Sequence, residues 1–214
     1  MPRSAGGIAF VATVVAAAAA SGFIGDWKAP PPQAPPAKTK LYFVESRVSA
    51  QVIDLHRVNW KAASVPGRVC GLRRGVRLRA GKAHVSSRLE VDAGWHRVVY
   101  GDLDGANGDE AGLSVACTNG GGTADSVLSY AVVVFRAGTS SAVPIGILRP
   151  RHQAPQLLPT LLEVDIDRHR VVGREAFYGP NDGTCCPSGR ARTVWTYRHR
   201  TFRVATSRVT KKPG

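Results

Sequence analysis

Strict alternation of apolar and acidic side chains marks one stretch of the sequence, Leu162-Glu163-Val164-Asp165-Ile166-Asp167. A period of two is that of a β-strand, because successive side chains point to opposite faces of a sheet. We therefore expect Leu162, Val164 and Ile166 to face a core while the acidic residues face water. The stretch Thr193-Val194-Trp195-Thr196-Tyr197-Arg198 alternates in the same way. Both segments predict half-buried strands.

Most of the chain after Gly75 has strand character, with runs of Val, Ile, Thr and aromatic residues separated by Gly, Asn, Asp and Pro. The breaks Asp167-Arg168-His169-Arg170 and Arg198-His199-Arg200 fit turns between antiparallel strands. The fold class is therefore mostly β: a single antiparallel domain built as a sandwich, barrel or meander. Apolar spacing over residues 44–60 adds one N-terminal helix. The predicted strands cover residues 98–100, 113–116, 130–135, 161–166, 170–177, 193–197 and 201–204.

The N-terminus has the character of an export signal, since residues 4–25 carry no charge and Arg3 precedes them. Ala18-Ala19-Ala20 suits cleavage by a signal peptidase, whereas the length of the apolar stretch also permits a retained membrane anchor. Either outcome makes the protein extracytoplasmic, secreted or anchored to the plasma membrane by an N-terminal helix. We divide the chain into a signal peptide or anchor (1–25), a stiff Pro-rich linker (26–40) and an extracytoplasmic β domain (41–214).

The chain has four cysteines, Cys70, Cys117 and the adjacent pair Cys185 and Cys186. An exported protein leaves the reducing cytosol, so these residues predict two disulfides, for which three pairings exist. Adjacent cysteines could form a vicinal disulfide or present two thiolates to a soft metal. Because an eight-membered ring is strained, we favour two long-range bridges that join Cys70 and Cys117 to the Cys185–Cys186 loop.

The formal net charge is +14, and basic residues dominate between Asp54 and Glu90 and again after Asp182, where no acid occurs. Such a surface attracts polyanions, which for an exported protein are anionic cell-wall or membrane components and not a specific nucleic acid. Alternatively, basic and acidic blocks face each other within the fold. The candidate anion-binding residues are Arg68, Arg73, Arg74, Arg77, Arg79, Lys82, Arg190, Arg192, Arg198 and Arg200.

An acidic Gly-containing loop spans residues 101–110. It resembles the Asp-x-Asp-Gly-Asp-Gly-x-x-Asp loops of calcium-binding β-repeat proteins, although Ala106 supplies no side-chain oxygen and Asn107 replaces a turn glycine. Calcium is the one cofactor predicted, and an Asx-type hairpin turn is the alternative. The candidate ligands are Asp102, Asp104, Asn107, Asp109 and Glu110.

No catalytic residue is predicted, because the sequence contains no Gly-x-Ser-x-Gly, His-Glu-x-x-His or Cys-x-x-Cys motif, and its six histidines lack metal-ligand spacing. The glycines of Gly120-Gly121-Gly122 are not followed by the Lys-Ser or Lys-Thr of a phosphate-binding loop.

Several features together resemble exported bacterial envelope proteins that include the LppP/LprE lipoprotein family. These are the acidic loop, then Cys117-Thr118-Asn119-Gly120-Gly121-Gly122-Thr123, and then Cys185-Cys186-Pro187-Ser188-Gly189 before a strand with Trp195. The resemblance covers about 90 residues and implies a small extracytoplasmic, disulfide-bonded domain. Because this chain has no lipid-acceptor cysteine, secretion or a transmembrane anchor is expected instead of lipidation.

The function predicted from the sequence is that of a secreted or membrane-anchored, non-enzymatic envelope protein whose basic surface binds anionic wall or membrane components. One alternative is a hydrolase, or another enzyme, whose site is scattered along the chain. A second alternative is a structural module stabilised by calcium. No oligomeric state is predicted.

Overall fold

A computed structural model describes residues 52–93, 98–106, 108–121, 127–152 and 160–213. Within these ranges, twelve strands form three antiparallel sheets of two, four and six strands, which confirms the predicted mostly β, antiparallel fold. The predicted signal or anchor and the Pro-rich linker lie outside the described residues. Within the described part of the chain, no helix is long and apolar enough to cross a membrane.

The six-stranded sheet forms the middle of the domain and is buried on both faces. Its central strand β7 sends Tyr130, Val132 and Val134 into one apolar cluster and Val133 and Phe135 into another on the opposite face. The strand order is β3-β4-β6-β7-β8, with β5 paired to the start of β6. The strands are β3 (Lys82–Ser86), β4 (Leu89–Asp92), β5 (Val99–Gly101), β6 (Glu110–Thr118), β7 (Val127–Ala137) and β8 (Ala142–Leu148).

The four-stranded sheet is a meander that covers one face of the six-stranded sheet. It is built from β9 (Leu161–Asp167), β10 (Arg170–Phe177), β11 (Gly189–Arg198) and β12 (Thr201–Lys211), in the order β12-β11-β10-β9. Leu162, Val164 and Trp195 pack into the cluster between the sheets, whereas Glu163 and Asp165 are exposed. The alternation predicted for β9 is therefore confirmed.

Both predicted turns lie between strands of this meander. His169 has a φ of 60°, and His199 and Arg200 have φ of 50° and 62°. In the β11–β12 turn, the two consecutive left-handed residues form the two-residue hairpin that matches the twist of paired strands. These turns fix the register of β9 with β10 and of β11 with β12, and so decide which side chains share a face.

The N-terminal part of the described chain covers the other face of the six-stranded sheet. A two-stranded sheet pairs β1 (Ser64–Val65) with β2 (Val76–Arg77), and three 3-10 turns lie at Leu55–Arg57, Trp60–Ala62 and Gly67–Cys70. Val65, Val69 and Leu78 pack against β6 and β7 from this side.

The helix predicted over residues 44–60 is wrong for the part that the structure describes, which begins at residue 52. Asp54 accepts a hydrogen bond from the His56 amide and starts a single 3-10 turn. Val58 ends that turn in an extended conformation, with ψ of 131°. The apolar spacing reflects Leu55 packing inward from this short turn and not a continuous helical face.

The predicted disulfide pairing is also wrong, because Cys70 is joined to Cys117 and Cys185 to Cys186. Cys117 lies on β6 and faces the N-terminal layer, where Cys70 is 5.5 Å away between Cα atoms. The Cys185–Cys186 pair lies in the β10–β11 loop of the four-stranded sheet. That sheet packs on the opposite face of the six-stranded sheet, so the central layer separates the two pairs.

Candidate functional site

The outward face of β11 carries three of the predicted anion-binding residues. Arg190, Arg192 and Arg198 are exposed, whereas the intervening Thr193 and Trp195 are buried. This is the alternation expected of a strand with one face on the core. The local sequence therefore holds these guanidinium groups on one side of the sheet.

Strand β12 adds three more cations to the same face. Arg208 lies directly opposite Arg192, Lys211 lies opposite Arg190, and Arg203 lies opposite Thr196. Residues paired in this way point to the same side of an antiparallel sheet and have Cβ atoms about 4.5–5.5 Å apart. We call this surface the β11–β12 basic face, and its members are Arg190, Arg192, Arg198, Arg203, Arg208 and Lys211.

The acids on the outward side of the same sheet are already paired with other cations. On β9, Asp167 bonds Arg170 at 2.5 Å and Asp165 bonds Arg174 at 2.5 Å. The hydrogen bond from Arg170 lowers the pKa of Asp167, and the hydrogen bond to Asp165 raises the pKa of Arg174. Charge on this sheet is thus segregated, with β9 neutralised by β10 and β11–β12 left strongly positive.

The predicted N-terminal basic residues lie on a different layer. Arg68, Arg73, Arg74, Arg77 and Arg79 are exposed there, and Arg68 lines a cleft of about 350 Å³ beside β8. They belong to the segment that covers the opposite face of the six-stranded sheet. The structure therefore does not gather the ten predicted anion-binding residues into one site. Arg200 lies in the β11–β12 turn, at the end of the β11–β12 basic face.

Lys82 has a different role from the arginines near it in sequence. Its ammonium group lies 3.1 Å from the carboxylates of both Glu90 and Asp92, and the hydrogen bond to Asp92 is the main cause of its raised pKa. Both carboxylates belong to buried residues. Lys82 thus neutralises two buried acids, so the alternative in which basic and acidic blocks face each other holds at this position.

The acidic loop brings together three of the five predicted calcium ligands. Candidate ligand atoms of Asp102, Asp104 and Glu110 all lie within 4.8 Å of one another. Asp109 instead bonds His56 at 2.9 Å, and Asn107 lies outside the described residues.

Each of the three clustered carboxylates already accepts a backbone hydrogen bond. Asp102 accepts from Gly105 at 2.7 Å, Asp104 from Ala106 at 2.9 Å, and Glu110 from Leu103 at 2.7 Å. Asp104 forms an Asx-type turn with the amide two residues on, as the alternative interpretation of this loop expects, whereas Asp102 accepts from the amide three residues on. Calcium binding stays a prediction.

Burial raises the pKa of Glu110 to about 6, opposed by the Leu103 hydrogen bond and reinforced by the charges of Asp104 and Asp102. Glu110 is only 4% exposed. The loop therefore holds one carboxyl group whose ionisation is disfavoured in the folded protein.

Sequence reasoning missed a buried polar network around Glu175. Its carboxylate accepts hydrogen bonds from the backbone amides of Arg151 and His152, each at 2.8 Å. Thr193 donates to the other carboxylate oxygen and is 2.7 Å from the Ser207 hydroxyl. The sequence carried a signal for this network, because Glu175 alternates along β10 with Val171 and Gly173 and therefore points to the same buried face. An acid at a core position requires such partners.

Comparisons of the chain with known protein families, with curated proteins and with solved structures found no match.

Proposed function

We propose that the protein is an extracytoplasmic, non-enzymatic binding domain that holds phosphate-bearing polyanions of the wall or membrane on the β11–β12 basic face. The observation that carries this proposal is Arg192 directly opposite Arg208, with Arg190 opposite Lys211. Like charges opposite each other on paired strands destabilise a sheet. An anion bound across the two strands offsets that repulsion, because both cations attract it.

The spacing of the cations favours an extended ligand over a single small anion. Outward-facing positions along one strand recur every two residues, which is about 6.7 Å. Guanidinium groups bind phosphate oxygens through two parallel hydrogen bonds. A row of such groups on two strands therefore suits a chain of phosphates, or phosphate headgroups arranged on a surface.

The extracytoplasmic part of the proposal is supported by the two disulfides together with the uncharged stretch at residues 4–25. Disulfides persist in oxidising compartments and are rare in the cytosol. Wall polymers and anionic lipid headgroups are the polyanions that a protein meets there.

The test is binding to vesicles containing phosphatidylglycerol and to a purified phosphate-bearing wall polymer, over a range of salt concentrations. The variant Arg192→Gln with Arg208→Gln should weaken binding and reduce the slope of log affinity against log salt by roughly one for each phosphate that the protein no longer neutralises. The matched control is Arg73→Gln with Arg74→Gln, which removes the same charge from the N-terminal layer. The two ligands distinguish a membrane source from a wall source.

Equal reductions in affinity in the two double variants would show that net charge alone drives binding, and would overturn the assignment to this face. Binding that is absent, or that does not change with salt, would overturn the proposed function.

A further inference from the structure

The Cys185–Cys186 disulfide lies on the surface, unlike the other disulfide. Both of its residues are exposed and belong to the loop between β10 and β11. Cys117, by contrast, is 1% exposed and packs in the cluster under the N-terminal layer. A thiolate must approach a disulfide sulfur directly to exchange with it. Of the two disulfides, the vicinal bond alone offers that access at both sulfurs.

The loop that carries the vicinal disulfide is held by other contacts. Asp182 accepts hydrogen bonds from the amides of Gly179 and Ser188, at 2.7 and 2.8 Å. The Tyr178 hydroxyl donates to the Thr184 carbonyl at 2.8 Å, and the Cys186 amide donates to the Gly183 carbonyl at 3.0 Å. These contacts close the loop on both sides of the cysteines. Four hydrogen bonds therefore hold the loop in addition to the bond between the sulfurs.

The vicinal disulfide also does little to constrain the unfolded chain. A disulfide stabilises a protein chiefly by closing a loop in the unfolded state, and the effect grows with loop length. Cys70 and Cys117 are 47 residues apart, whereas Cys185 and Cys186 are neighbours and close no loop. The vicinal bond can thus be broken without the loss of stability that breaking the other bond causes.

A cation borders this loop, because Arg190 is the second residue of β11. Its guanidinium donates hydrogen bonds to the carbonyls of Pro187 and Gly189, so it lies against the backbone that directly follows Cys186. A neighbouring guanidinium stabilises a thiolate, and a better-stabilised thiolate leaves faster during disulfide exchange.

From these observations we propose that Cys185–Cys186 is a site of reversible thiol–disulfide exchange with an extracytoplasmic dithiol. A thiolate of the dithiol attacks one sulfur, the Cys185–Cys186 bond breaks, and the other sulfur leaves as a thiolate that takes up a proton. The second thiol of the dithiol then attacks the mixed disulfide. The products are two cysteine thiols and one oxidised dithiol, so two electrons and two protons pass to the protein.

The experiment incubates the full-length oxidised protein in dithiothreitol buffers of increasing reducing strength, without denaturant, and then alkylates and maps the peptides. The expected result is alkylation of Cys185 and Cys186 while Cys70 and Cys117 stay joined. The near-UV circular dichroism and tryptophan fluorescence of the native fold should persist. Transfer to oxidised dithiothreitol should restore the vicinal bond. Alkylation of all four cysteines together, or protection of Cys185 and Cys186 until unfolding, would overturn the proposal.

Two variants test the chemistry separately from folding. Cys185→Ser leaves Cys186 as a single thiol, which should form a mixed disulfide with oxidised glutathione in the native protein. Failure to react would contradict the assigned access.

Arg190→Gln should slow reduction of the vicinal bond several-fold, whereas the exposed Arg88→Gln, on another layer, should not. Equal rates of reduction of the vicinal bond in these two variants would show that Arg190 does not assist the exchange. This proposal does not depend on polyanion binding.

Discussion

Thr193 on β11 donates a hydrogen bond of 2.5 Å to Glu175 on β10, and both residues are at most 1% exposed. The other oxygen of Glu175 accepts hydrogen bonds from the amides of Arg151 and His152, which lie at the start of the segment that leads to β9. One buried acid thus connects the inner strands of the meander to the chain that enters it.

Replacing this acid should be strongly destabilising. Glu175→Ala removes the acceptor of the Arg151 and His152 amides and leaves the Thr193 hydroxyl with the Ser207 hydroxyl as its partner. Each buried polar group that loses its partner costs about 1–3 kcal/mol. We expect the free energy of unfolding to fall by about 3 kcal/mol or more, measured by chemical denaturation. The control is Arg174→Ala on the same strand, whose exposed ion pairs should contribute about 1 kcal/mol or less. Equal destabilisation in both variants would contradict the structural role of Glu175.

The two disulfides should differ in their effect on stability. Replacing Cys70 and Cys117 together by serine should lower the free energy of unfolding by about 4 kcal/mol, the loop-closure value for a separation of 47 residues. Replacing Cys185 and Cys186 together should cost less than about 1 kcal/mol, because no loop is opened. Thermal and urea unfolding of both double variants would measure this. A larger decrease in the second variant would show that the vicinal bond supports the fold.

The raised pKa of Glu110 predicts a fall in stability as the pH rises. Between its ordinary pKa of 4.5 and about 6, the native carboxyl keeps its proton while the unfolded one is ionised. The native state then binds more protons, so the free energy of unfolding decreases through this window, by about 2 kcal/mol in total. Urea unfolding of wild type and Glu110→Gln in chelator-treated buffer isolates the effect, since the variant lacks the group.

The same pair of proteins tests the calcium prediction. At pH 7, a site formed by Asp102, Asp104 and Glu110 would make wild type more stable on adding millimolar calcium, and Glu110→Gln would respond less. The alternative Asx-turn interpretation leaves both proteins unchanged. A difference in stability between wild type and Glu110→Gln that does not change from pH 4.5 to 6 would contradict the raised pKa of Glu110.

Strands with one solvated face could be predicted from the sequence. Residues 170–177 were predicted as a strand, and β10 spans that range. The extent of β6 was not predicted, because all nine of its residues are buried and no alternation marks it. Strand β8 was missed because it contains Pro144, which a sheet accepts at an edge position.

The candidate sites depended on information that spacing along the chain does not carry. The sequence predicts Arg190, Arg192 and Arg198 as anion-binding residues, but their common face depends on β11 beginning at Gly189, before the predicted strand. The opposition of Arg192 and Arg208 follows from the register of β12, which includes two irregularities. The predicted cysteine pairing is wrong because the sequence does not reveal that a central sheet separates Cys117 from the β10–β11 loop. The role of Lys82 likewise follows from the β3–β4 hairpin, which aligns it with Glu90 and Asp92.

Strand β12 runs for 11 residues along the border of its sheet and pairs with β11 alone among the described strands. A long border strand of this kind is a template on which other copies can assemble, and lysine and arginine side chains oppose such growth. Arg203, Arg208 and Lys211 therefore act as gatekeepers against aggregation as well as contributing to the β11–β12 basic face. Screening or neutralising them would weaken the repulsion that keeps molecules apart.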